Sequence, residues 1–186
     1  MAEIIKDGTG GGYTVRVGTS NKLDVSSRVN DRIYYASRDD AKAFIAQFAM
    51  TQAVGAAAEA VGYIKYTGEG RMNIKQIALS TEEPDTTAWG IWKSPTTSGG
   101  GAVTPVNLNF GSNNPSEVEA KDDTTALTLT GGSSLFTVRM DGPFTKIIPF
   151  YDAVILGTND IIGIKGNADT AGSKLRVNIM YSESID

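Results

Sequence analysis

The chain has 186 residues, 40% of them hydrophobic, with a net charge of -4 and neither cysteine nor histidine. That length suits one domain with an arm or a long insertion. The missing residue types exclude disulfides, thiolate chemistry and every Ser-His or Cys-His catalytic arrangement. No run approaches the roughly 18 apolar residues that span a bilayer, and the start, Met1-Ala-Glu-Ile-Ile-Lys-Asp-Gly8, lacks a basic-then-apolar signal pattern. We expect a soluble product of a cytoplasm, with no membrane partner. Interspersed charges without a basic stripe argue against a nucleic-acid partner, and the 21 glycines favour a turn-rich β protein.

Residues 1–35 read as an arm and 36–186 as a β-sandwich domain. In the arm, Asp7-Gly-Thr-Gly-Gly-Gly12 is a spacer. Tyr13, Val15 and Val17 then alternate, Gly18-Thr-Ser-Asn21 turns the chain, and Leu23 and Val25 run back, predicting a small hairpin. A lone hairpin is marginal in water, so the arm should pack on its own domain or on a neighbour. Ile4, Ile5, Tyr13, Val15, Val17 and Leu23 are its candidate contact residues. The glycine cluster has neither a following Lys-Ser/Thr nor a strand-then-helix setting, so it does not read as a phosphate loop.

Residues 39–62 read two ways. Alanine content and the Phe44–Phe48 spacing suit a short helix within 40–60. Phe44, Ala46, Phe48 and Met50 also alternate as in a strand, and the surrounding β pattern favours that reading. Strand signals then follow steadily at Tyr63–Tyr66, Met72–Leu79 and Thr87–Lys93, as in a sandwich or barrel. Trp89 and Trp92 must face opposite sides of one strand, one in the core and the other exposed or at an interface. Ser98-Gly-Gly-Gly101 reads as a flexible loop.

Val106, Leu108 and Phe110 alternate with Asn107 and Asn109, predicting a buried apolar face beside amides that bond to backbone or water. Glu117–Asp123 is a polar, acidic patch. Ala126–Thr130, Leu135–Met140, Ile147–Phe150 and Ala153–Leu156 are further strand-like runs. The end, from Asp160, reads as a long hairpin around Gly166-Asn-Ala-Asp-Thr-Ala-Gly-Ser173, with Leu175, Val177, Ile179 and Tyr181 on its buried face.

Candidate chemistry is sparse. The adjacent carboxylates Asp39-Asp40, Glu82-Glu83 and Asp122-Asp123 point opposite ways if extended and read as solvated turns. No Asp-x-Asp/Asn-x-Asp/Asn-Gly loop marks a calcium site. We expect no enzyme, no cofactor and no metal.

Three blocks carry a family resemblance: Asp7–Val17 followed by Thr19-Ser-Asn-Lys-Leu23, then Thr104–Pro115, then Ile155–Lys165 with Lys174–Tyr181. They resemble structural proteins of tailed-phage virions. The likeness covers most of the chain and is weakest at Ala41–Val61, where such proteins carry more polar, less alanine-rich strands. It implies a jelly-roll β-sandwich with an N-terminal arm. It further implies a homo-oligomer, often a trimer, that decorates or cements the head by binding between major capsid protein subunits. The chain would then reside in the virion after synthesis in the host cytoplasm. Similar chains sit on tails or baseplates, so the alternative is a receptor- or carbohydrate-binding module, for which Trp89, Trp92, Tyr63 and Tyr66 are candidate sugar platforms. Trp92 is also a candidate subunit contact.

Overall fold

The computed structural model describes residues 4–6, 14–16, 42–53, 55, 57–82, 84 and 86–184. The chain divides into two compact units, Met1–Asp31 and Arg32–Asp186. In the first, β1 (Ile4–Lys6) pairs antiparallel with β2 (Thr14–Arg16), placing Ile5 opposite Val15. The return strand expected at Lys22–Val25 lies outside the described residues, as do Tyr13, Val17 and Leu23.

The second unit is all-β. Its strands are β3 (Ala43–Thr51), β4 (Glu59–Tyr66), β5 (Arg71–Thr81), β6 (Thr86–Lys93), β7 (Thr96–Ala102), β8 (Val106–Asn107), β9 (Val118–Thr130), β10 (Ser133–Asp141), β11 (Phe144–Leu156), β12 (Ile161–Ala168) and β13 (Lys174–Ser184). They form two sheets, ordered β10-β6-β12-β4-β9-β7 and β11-β5-β13-β3-β8. The connectivity is that of a long ribbon. β3 pairs with β13, β4 with β12, β5 with β11 and β6 with β10. Winding the ribbon on itself adds β13 to β5 and β12 to β6. This is a jelly roll, and β7, β8 and β9 are an insertion at the ribbon's tip that extends the opposite edge of both sheets.

The ambiguous stretch is strand, and no described residue is helical. Phe44, Ala46, Phe48 and Met50 stand opposite Tyr181, Ile179, Val177 and Leu175, and all eight are buried. Phe44 stacks on Tyr181 with ring centroids 5.7 Å apart. Each large side chain in this ladder gains about 1.5–3 kcal/mol from burial, enough to override the helical preference of the alanines.

Two expectations are corrected here. The last two strands are not a paired hairpin: β12 lies in one sheet and β13 in the other. Both carry apolar faces that meet across the core, so the connection crosses the sandwich. Gln52 fastens it. Its side-chain amide accepts from Ala168 N–H at 2.6 Å and donates to Ala168 C=O at 2.9 Å, while its backbone bonds Ser173 and Gly172.

Nor is Ser98–Gly101 a loop; it lies within β7, which pairs with β9. The register jumps from Gly99 opposite Leu127 to Gly101 opposite Asp122, so residues 123–126 bulge against Gly100. Gly99 and Gly100 take φ of +76° and +89°, a left-handed conformation that side chains resist. The hairpin therefore bends. Its inner half continues the sheet beside β4, while Leu127 and Leu129 pack with Ala60, Tyr63 and Ile161 in a second small core. Asp122, read as a solvated turn residue, is buried, and its carboxylate accepts from the N–H and hydroxyl of Thr124.

Candidate interaction surfaces

A sandwich leaves two open sides, and here large apolar side chains occupy both. On one side, β10 and β11 end their sheets, and Leu135, Phe136, Phe144, Ile147, Tyr151 and Ile155 on them are exposed. Phe136 stands opposite buried Ile91 and Phe144 opposite buried Thr81, so both share the core-facing side of their strands. They are exposed because, among the described residues, no strand lies beyond them.

The β11 edge is blocked against strand addition in three ways. Lys146 stands opposite buried Leu79 and thus brings a charge to the core-facing side of an edge strand. Pro149 offers no N–H. Between Pro149 (opposite Gln76) and Val154 (opposite Ile74) the strand bulges outward. Tyr151 sits on this bulge, 86% exposed with φ of +47°, a strained conformation for a bulky residue. A partner at β11 must therefore meet side chains rather than continue its sheet. A cleft of about 190 Å³ opens there, walled by Leu135, Ala153, Val154, Ile155, Ile161 and Ile162.

On the opposite side, Val106 and Phe110 are 51% and 96% exposed. This overturns the expected buried face at Val106, Leu108 and Phe110, of which Leu108 alone is half-buried. The amides explain the difference. Asn107 Oδ1 accepts from Asn109 N–H at 2.8 Å, Asn109 Oδ1 accepts from Gly111 N–H at 3.0 Å, and Ser112 N–H donates to Asn109 C=O at 2.9 Å. These successive turns end β8 after Asn107 and hold Phe110 outward at the bend.

The far end of that segment is anchored to the sheet. Glu183 Oε1 accepts from the Ser116 hydroxyl at 2.5 Å and from Glu117 N–H at 2.9 Å, and Ser116 Oγ lies 2.7 Å from the Tyr181 phenol. Burial raises the Glu183 carboxyl above its ordinary value, and burial likewise raises the Tyr181 phenol. The Phe110 turn is thus held at Asn107 and again at Ser116.

Of the arm residues singled out in the sequence, Ile4, Ile5 and Val15 lie in the β1–β2 pair. Trp92 is half-buried on β6, with Lys165 Nζ 5.0 Å from its ring centroid. Trp89, Tyr63 and Tyr66 are buried, so the four aromatics do not form a shared sugar platform. A polar groove does lie on the outer face of β3 and β13, lined by Thr51, Asp123, Thr124, Lys174 and Arg176. Of the adjacent carboxylates, Glu82 pairs with Arg176 at 2.8 Å, Asp123 accepts from Leu127 N–H at 2.8 Å, and Asp39-Asp40 lie outside the described residues. Among the described residues no group of three or more Asp, Glu, His or Cys is placed to hold a metal ion.

Sequence reasoning placed Phe110 on a buried face and did not pick out Tyr151. The Asn-x-Asn spacing around Leu108 carried a signal for the first, since it suits consecutive side-chain-to-backbone turns better than a continuing strand. No protein-family model matches the chain, and neither a curated protein nor a solved structure matches it.

Proposed function

We propose that this chain is a structural protein of a tailed-phage virion: a head decoration or cement protein that assembles as a trimer and binds between major capsid subunits. The observation that carries the reading is the pair of apolar sides on a jelly roll. Among the described residues, eight large apolar side chains are exposed, and all lie on the edge strands β8, β10 and β11 or the turn just after β8. Apolar patches of that kind mark association surfaces. The resemblance of the arm, the Thr104–Pro115 block and the C-terminal strands supplies the particular assembly. An electron-microscopy map of the particle tests it. The jelly roll should fill gaps between major capsid subunits, and a head lattice without it contradicts the proposal.

Half-exposed Trp92 beside Lys165 favours one alternative, a tail or baseplate module that binds carbohydrate. Glycan-array binding abolished by Trp92→Ala would move the assignment there.

A further inference from the structure

We infer that Phe110 of one copy inserts into the cleft between β10 and β11 of the next, joining the chain head to tail with itself. This rests on the self-association in the reading above and names the surfaces that make it.

The knob and the cleft end one row across the five-stranded sheet. Val154 stands opposite Ile74, Ile74 opposite Tyr181, Tyr181 opposite Phe44, and Phe44 opposite Asn107. Val154 walls the cleft, and Asn107 is the base of the Phe110 turn. Four strand spacings, about 19 Å, separate them. The turn's hydrogen bonds hold Phe110 at its own edge, so it cannot serve its own chain's cleft. A knob on one edge and a cleft at the same height on the other make a heterologous contact, which closes into a ring only where the rotation between copies is a whole fraction of a turn without translation along the axis, and otherwise runs on as a filament.

Size and chemistry agree. The cleft measures about 190 Å³, and an apolar cavity of about 150 Å³ holds a benzene ring. Its walls are mainly Leu, Val, Ile and Ala, with Lys93 and Asp160 among the remaining lining residues. The eight exposed side chains offer on the order of 900 Å² of apolar surface, which matches the apolar share of a standard interface of about 1,600 Å². A second copy supplies both halves of that area. The charge, proline and bulge on β11 disfavour the competing mode, strand addition at the same edge.

The test uses full-length chains, whose lack of cysteine gives a clean background. One tagged chain carries Gly111→Cys beside an intact Phe110, and a second carries Ala153→Cys. A short bis-maleimide should link the two when mixed, and the link should vanish when Phe110→Ser is added to the first. In sedimentation, Phe110→Ser alone should raise the dissociation constant about tenfold or more. At concentrations where wild type is dissociated, the variant's melting temperature should equal the wild type's, because the side chain is 96% exposed in the single chain. An oligomer undiminished by Phe110→Ser, or a cross-link that survives it, overturns this contact and leaves self-association by another surface standing. A wild-type chain that is monomeric at every concentration overturns both.

Discussion

The Ser116 hydroxyl lies between two buried groups of β13, 2.5 Å from Glu183 Oε1 and 2.7 Å from the Tyr181 phenol. Glu183 is 3% exposed, and burial, the largest cause, raises its carboxyl pKa. Between the ordinary and the raised value the folded state therefore holds a proton that the unfolded state has released. Glu183 adds no penalty below the ordinary carboxyl value of 4.5, and its penalty grows as pH rises from there through the raised value. Glu183→Gln keeps an accepting oxygen for Ser116 and Glu117 and removes the charge. Denaturant titrations across acid and neutral pH should find the variant at least as stable as wild type at pH 7, with a shallower pH slope. A variant much less stable at pH 7 would contradict this account of the network.

Glu119 behaves oppositely. The Tyr63 hydroxyl donates to it at 2.6 Å, which is the main cause of its lowered pKa, and Lys121 lies 3.3 Å away. Its stabilisation is present above the ordinary value and is lost as pH falls through the lowered one. Tyr63→Phe should cost about 1 kcal/mol at neutral pH, since the acceptor is charged but partly solvated. The difference from wild type should shrink in acid. The Tyr63 phenol itself, pushed up to about 12 by burial and then by Glu119, should destabilise the fold as pH rises beyond 10.

Gly62 on β4 lies against the Phe48 ring of β3 in the facing sheet. A Cβ there would lie 2.5 Å from Phe48 Cδ1 and 3.1 Å from Lys121 C=O. Gly62→Ala should cost about 1–3 kcal/mol through overpacking. Adding Phe48→Leu should give a sub-additive loss, because the second change relieves part of the clash. Thermal melts of the two single variants and the double variant measure the coupling.

Deleting residues 1–30 should leave the second unit folded, with a β-rich far-ultraviolet spectrum and a cooperative melt, while assembly weakens. Loss of folding would show that the arm completes the core.

The strands were legible where burial alternates along one face. Phe44 to Met50 and Leu175 to Tyr181 could be read as core because each partner set lies in the same period-2 phase. What alternation cannot say is whether a facing layer exists. Val106 and Phe110 have the phase of buried residues, yet they sit at the last strand of a sheet and just beyond it, where nothing described covers them. Position within a sheet depends on pairings distant in sequence, which also decided that β12 and β13 cross between layers instead of pairing. Gly99 and Gly100 looked flexible because glycine permits many conformations. Here the bulge at residues 123–126 selects one of them, and that bulge is a long-range feature. Tyr151 was hidden for the same reason, since a bulge shows only against its partner strand.

If, as proposed, this jelly roll joins copies of itself through its open sides, the full-length protein should be an oligomer in solution. Multi-angle light scattering on the full-length protein at tens of micromolar tests it most directly. The account predicts a closed oligomer, a trimer of three times the 19.7 kDa chain mass, that dissociates on dilution. A single species of 19.7 kDa at every concentration would contradict it.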